Sequence, residues 1–289
     1  MKFIVWGLPL HSHTHSYIHH AFARVSKHLG YETHWVPDEE PSNNALTPGS
    51  VVLSCGVADT NLRSVEGVQY ILHNSARDDL RENKHINLQV YTHDVLERDT
   101  ESLGDLTFWE SSTKTLYQPW GTDLLPDEVL AQEPTSSSSA KKDVYWVGSV
   151  TNGEHGNIDM LQRYAELCAP LGVKVSVKQN VSVRDAIDLT RSSRHAPTIQ
   201  GKWQVEKGYV PCRMFKNISY GCWSFTNAPA TADMLGIKRC DTIEALVEES
   251  ERFIVDGNSQ VIRDKMKLIA DRHTYVNRLG NIMRALSNV

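Results

Sequence analysis

Lys2-Phe-Ile-Val-Trp-Gly7 is an apolar run closed by glycine, and Thr33-His-Trp-Val36 follows it one helix-length later. The first reads as a buried strand and the second as its neighbour. Between them Ile18, Ala21, Phe22, Val25 and Leu29 recur on one helical face, and Gly30 supplies the stop. Strand, polar loop, helix and strand in that order predict a parallel α/β unit. Val51–Cys55, Val68–Leu72 and Leu88–Tyr91 read as further strands of the same unit.

The plan restarts downstream. Pro134-Thr-Ser-Ser-Ser-Ser-Ala-Lys-Lys142 is polar, low in complexity and without apolar anchors, which predicts a linker. After it come a strand at Val144–Val147, a glycine-rich loop from Gly148 to Gly156, a helix over Ile158–Cys168 with Asn157 as N-cap, and a strand at Val173–Val177. Arg213–Tyr220 reads as a helix stopped by Gly221, and Trp223–Thr226 as a strand. Ile243–Phe253 and Val261–Leu286 read as closing helices. The expectation is an α/β protein of two Rossmann-like domains facing a central cleft, 1–135 on the acceptor side and 143–289 on the nucleotide side, with the last helix free to return to the first domain.

Composition narrows the function. In 289 residues the net charge is −5, where a nucleic-acid binder held by general electrostatics carries a basic excess, so, a local basic patch apart, no nucleic-acid partner is expected. No apolar run reaches the roughly 20 residues of a membrane helix, and the start lacks a secretory signal pattern. The five cysteines have no CxxC spacing and read as reduced thiols, so a cytoplasmic location is expected and the Asn180 and Asn217 sequons are chance matches.

The most informative segment is Tyr209-Val-Pro-Cys-Arg-Met-Phe-Lys-Asn-Ile-Ser-Tyr-Gly-Cys-Trp-Ser-Phe-Thr-Asn227. It resembles the donor-site motif of GT-B glycosyltransferases, in which an arginine opens a helix that ends in a small residue and glycine. His273-Thr-Tyr-Val-Asn-Arg278 is similar to the closing segment of the CgeB-like group, which with the exostosin-like enzymes is the nearest likeness, and Tyr145-Trp-Val-Gly148 to the strand opening their second domain. The resemblance covers most of 144–289. It implies a glycosyltransferase that moves a hexose or pentose from a UDP- or GDP-sugar to a glycan or other hydroxyl acceptor, without a cofactor. The alternative is a non-catalytic nucleotide- or sugar-binding module on the same fold.

Physical chemistry agrees with the motif. A departing nucleoside diphosphate gathers negative charge, which fixed cations and helix N-termini stabilise. Arg213 begins such a helix, and Lys216 lies one turn on. Many GT-B enzymes carry a ribose-binding glutamate where this chain has Lys216, so Asn217 or Glu206 is the substitute candidate. Gly148 and Ser149 start the loop after a strand, where glycine lets backbone approach a ligand, while GxGxxG and GxxxxGK[ST] are both absent. Gln200 and Trp203 belong to the polar stretch Gln200–Gly208 and are expected to line the same site, Trp203 by stacking. No Asp-x-Asp pair occurs anywhere, so no donor metal is expected.

The first domain is expected to supply the catalytic base. His11-Ser-His-Thr-His-Ser-Tyr-Ile-His-His20 follows the first strand, and His13 or His15 suits a base at neutral pH. Its other readings are helix capping and metal binding. His15 and His19 are spaced i, i+4, but no acidic residue is near and HExxH is absent, so no metal is expected there. Asp94 is the alternative base, and Asp59 and His73 occupy similar strand-end positions. Tyr117-Gln-Pro-Trp-Gly-Thr-Asp123 marks the end of the domain and a hinge with Trp120 and Asp123.

Overall fold

The apolar runs Phe3–Trp6, Val51–Cys55 and Tyr70–Leu72 become strands buried on both faces. The computed structural model describes residues 1–38, 45–92, 95, 98–135, 139–256 and 258–289. Two compact units result, one from Met1–Asp123 with Tyr275–Val289, the other from Leu124–Thr274. The division falls between Asp123 and Leu124, ahead of the Ser-rich stretch that reads as a linker.

In the first unit the elements are β1 (Lys2–Gly7), α1 (Thr14–His28), β2 (Glu32–Pro37), β3 (Val51–Cys55), β4 (Gln69–His73), α2 (Asp78–Arg81), β5 (His85–Gln89), β6 (Glu101–Gly104), β7 (Thr107–Glu110) and β8 (Thr115–Tyr117). They form one sheet in the order β2-β1-β3-β4-β5-β8-β7-β6. Pairing is parallel from β2 to β8 and antiparallel beyond. The opening order 2-1-3-4-5 is that of a doubly wound sheet, with its topological switch between β1 and β3, where ligands bind beyond the strand C-termini. Ile4, Trp6, Val52, Tyr70 and Leu72 form a buried core on one face. Phe22 of α1 is fully buried and meets the Tyr275 ring at 4.8 Å.

The β6–β8 meander has no counterpart in the sequence reading. Its β6–β7 turn places Asp105 and Leu106 at φ 51° and 55°, the two positive values of a type I′ turn. Leucine carries none of the Asn-Gly signature that normally announces that turn.

The second unit holds α3 (Pro126–Leu130), β9 (Asp143–Val147), α4 (Ile158–Cys168), β10 (Lys174–Lys178), α5 (Val183–Ser192), α6 (Lys202–Glu206), α7 (Cys212–Ser219), α8 (Pro229–Leu235), α9 (Ile243–Asp256) and α10 (Ser259–Arg272). β9 and β10 pair in parallel. Val144, Trp146, Leu161, Tyr164, Ile199, Phe225 and Leu246 make its core. The strand expected at 223–226 forms only a bridge, between Thr226 and Thr198. Side chains satisfy the backbone there instead: Ser224 Oγ and Asn217 Nδ2 both donate to Ala196 O, at 2.5 and 2.9 Å.

The helix expected over 261–286 is two. α10 ends at His273, and α11 (Tyr275–Ser287) is part of the first unit, packed on α1 and β5. His273 stacks on Phe215 at 5.0 Å in the second unit. Arg278 is buried in the first, and its Nε donates to Trp120 O at 3.2 Å.

Candidate functional site

β9 ends at Val147, and Gly148 turns the chain at φ 125°, a conformation that side chains rarely adopt. This frees a cradle for Arg213 in the first turn of α7. A Cβ on Gly148 would lie 2.8 Å from the Arg213 guanidinium. The guanidinium lies over the Trp146 ring at 3.6 Å and donates through Nη1 to the Val147 carbonyl. Burial pushes its pKa down to about 10, so it stays charged at neutral pH. Among the described residues no carboxylate pairs with it. A half-buried guanidinium in the first turn of a helix, beside a glycine turn, is arranged to receive an anion.

The loop continues from Gly148 to Asn157. Asn157 sits at the N-cap position of α4, but its side chain does not cap. Its Oδ1 accepts from Thr151 N at 3.3 Å and its Nδ2 donates to Ile199 O at 3.5 Å, so it ties the loop to the chain entering Gln200. Gly201 and Gly156 approach so closely that a Cβ on Gly201 would lie 1.7 Å from Gly156 O. The two loops thus touch through backbone. Beside them is a cavity of about 430 Å³ lined by Gly153, Asn157, Met160, Trp203 and Glu206. His155 meets the Trp203 ring edge-on at 4.3 Å.

The structure sorts the residues named for the donor. Gly148, Ser149 and Arg213 come together, with Trp146 Nε1 donating to Ser149 O at 3.2 Å. Trp203 and Glu206 line the cavity. Gln200 is buried; its Nε2 donates to Tyr209 O at 2.5 Å and its Oε1 has no partner. Lys216 lies in the last turn of α7, past the helix N-terminus. Asn217 is buried and its Nδ2 donates to Ala196 O, which gives it a packing role. Trp146, the cation–π partner, escaped the sequence reading, although Tyr145-Trp-Val-Gly148 contained it.

The histidine loop behaves differently from a row of bases. His13 is the N-cap of α1, its Nδ1 accepting from His15 N at 3.2 Å. His15 is half-buried against Cys55 Sγ, 3.8 Å from its Nδ1, and against the His73 ring at 5.3 Å. Burial, then the neighbouring His13, lower the His15 pKa to about 4, which makes it a weak acceptor for a hydroxyl proton at neutral pH. Asp94 lies outside the described residues. Asp59 accepts from Ser75 Oγ at 2.5 Å and is buried.

No family model and no curated protein matches the chain. Solved structures do. An alpha-glucosyltransferase in complex with UDP-glucose and DNA containing an abasic site superposes with a TM-score of 0.61 at 9% identity, covering 94% of this chain and 95% of that one. A DNA-modifying beta-glucosyltransferase, studied with and without uridine diphosphoglucose, gives 0.56 at 8% identity, covering 99% and 100%. The fold is GT-B. Both neighbours bear on the expected partners as well, since one is bound to DNA and the other is a DNA-modifying enzyme. The exclusion of nucleic acid is therefore corrected: a net charge of −5 describes the field of the whole chain, not one face of it. Among the described residues no helix is long and apolar enough to cross a membrane.

Proposed function

We propose that this protein is a glycosyltransferase that moves a hexose from a nucleoside diphosphate sugar to a hydroxyl group carried by DNA. The observation that carries the reading is Arg213, a charged guanidinium without a carboxylate among the described residues, stacked on Trp146 at the Gly148 turn. It is placed to take up the charge that grows on the leaving diphosphate. A helix terminus and guanidinium supply that stabilisation without a divalent ion, which fits the lack of any Asp-x-Asp pair.

DNA as acceptor is supported by the two glucosyltransferases that share the fold over nearly the whole chain. Internal deoxynucleotides have no free hydroxyl, so the acceptor is a base that bears one. UDP-glucose is the donor to test first. Kinship with the CgeB-like and exostosin-like enzymes is supported by the His273–Arg278 segment.

The experiment has two parts. UDP-glucose should raise the melting temperature of the full chain in EDTA, and Arg213→Ala should abolish that shift while keeping its circular dichroism. Labelled UDP-glucose should then label DNA containing hydroxymethylated pyrimidines, and not unmodified DNA. Transfer to oligosaccharides alone would refute the acceptor; loss of donor binding in EDTA would refute metal independence.

A further inference from the structure

Cys55 ends β3 and His73 ends β4, and the two are register partners in the parallel ladder. Register partners project to the same face of a sheet, so the thiol and the imidazole stand side by side. His15 reaches them from the first turn of α1. The ligand atoms of the three all lie within 4.8 Å of one another. All belong to the first unit and lie at the C-terminal ends of β3 and β4 or just past that of β1, beside the topological switch, where this architecture builds its ligand sites.

We propose that His15, Cys55 and His73 form a transition-metal site of the zinc class. Two imidazoles and one thiolate are a borderline-soft donor set that suits Zn²⁺ over the oxygen-seeking Mg²⁺ or Ca²⁺. In a tetrahedral site such ligands stand about 3.5 Å apart. The Cys55–His15 separation of 3.8 Å is already near that value, and small side-chain rotations bring in the third. Cys55 and His73 are almost wholly buried, whereas His15 is half-buried, so an ion enters from the His15 side. The exposed His13 ring, 5.0 Å from that of His15, borders the fourth position, which it or water fills.

The surroundings fit. The Trp120 ring meets His73 edge-on at 5.1 Å, so the imidazole is held in orientation. Metal binding would release the thiol proton as the sulfur–metal bond forms.

The site is in a different unit from Arg213, so the proposal stands apart from the donor reading. Its test is Co²⁺ titration of the full, reduced, chelator-stripped chain. A tetrahedral set of visible bands and a near-ultraviolet thiolate-to-cobalt band should saturate at one Co²⁺ per chain, and Zn²⁺ should erase both. Cys55→Ser should lose the thiolate band, and His73→Ala should weaken Co²⁺ at least tenfold, each with circular dichroism as the folding control. His15→Gln, at the half-buried ligand, gives a second variant that spares the interior and should weaken Co²⁺ likewise. No cobalt spectrum in the wild-type chain would overturn the site. So would a thiolate band unchanged in folded Cys55→Ser, or Co²⁺ affinity unchanged in folded His15→Gln. The donor reading is tested by UDP-glucose stabilisation in EDTA, and neither result changes the other.

Discussion

Arg213 and Gly201 show how much single residues fix at this site. Arg can grip a diphosphate through two parallel N–H bonds, whereas Lys offers a point charge. Arg213→Lys should therefore restore only part of the donor affinity lost in Arg213→Ala, which a UDP-glucose titration by calorimetry would measure; full recovery would reduce Arg213 to a bare charge. Gly201 is constrained by space. Its missing Cβ leaves room for Gly156 O, and backbone on both sides gives neither loop an easy retreat. Gly201→Ala should cost about 2–3 kcal/mol and loosen the two loops. A urea midpoint equal to wild type would show that the contact between the two loops is not made in solution. The sequence displayed both glycine and arginine. It did not display that Asn217 would be spent on Ala196 O, because an amide one residue from a cation looks the same whether it faces a ligand or the core.

At the scale of elements, the segment after α5 carries a polar cluster that holds it under α4 and α9. His195 is buried, with Nδ1 2.8 Å from the Tyr164 hydroxyl and Nε2 2.7 Å from Glu251 Oε1, while Arg194 pairs with the same Glu251. Burial drives the His195 pKa down to about 4, with Glu251 opposing. The folded chain therefore refuses a proton that the unfolded chain accepts below about pH 6.5. Stability from this residue is complete above pH 6.5 and is lost as pH falls toward 4, by roughly 3 kcal/mol. Glu251, held low by Arg194, adds a loss at more acid pH; Arg194 stays charged, and Tyr164 is pushed up and stays neutral. Denaturation of His195→Gln and wild type at pH 7.5 and 5 should show a smaller pH dependence in the variant. Equal slopes would contradict a neutral buried imidazole. The other elements followed periodicity where one face was apolar, as in α1 and α4. They departed where polar side chains replaced ladder bonds around Thr198, and where Leu106 took a turn position that glycine or asparagine usually announces.

For the whole molecule, the last helix completes the first unit from the far end of the chain. Tyr275, Leu279, Ile282 and Leu286 of α11 are each at most 2% exposed. At about 1.5–3 kcal/mol per buried side chain their removal takes away roughly 6–12 kcal/mol, as much as a domain's entire stability. Ending the chain at Thr274 should therefore unfold the first unit, visible as a lowered melting temperature and rapid proteolysis of residues 1–123. A truncated chain that melts at the wild-type temperature would refute this dependence.

By itself, the sequence determined the parallel strands, the helices α1, α4 and α7, and the glycine turn at Gly148. Those features are local: apolar runs, periodicity of 3.6 and glycine at a turn are written within a few residues of one another. Only the tertiary structure decided that Trp146 lies under Arg213, that α11 belongs to the first unit, and that His15, Cys55 and His73 meet. Each of these joins residues far apart in the chain, and their proximity is set by strand order and register, which no local pattern carries. The same limit explains the nucleic-acid correction. Net charge is a sum over the whole chain, whereas a partner is met by one face, and only folding decides which charges share it.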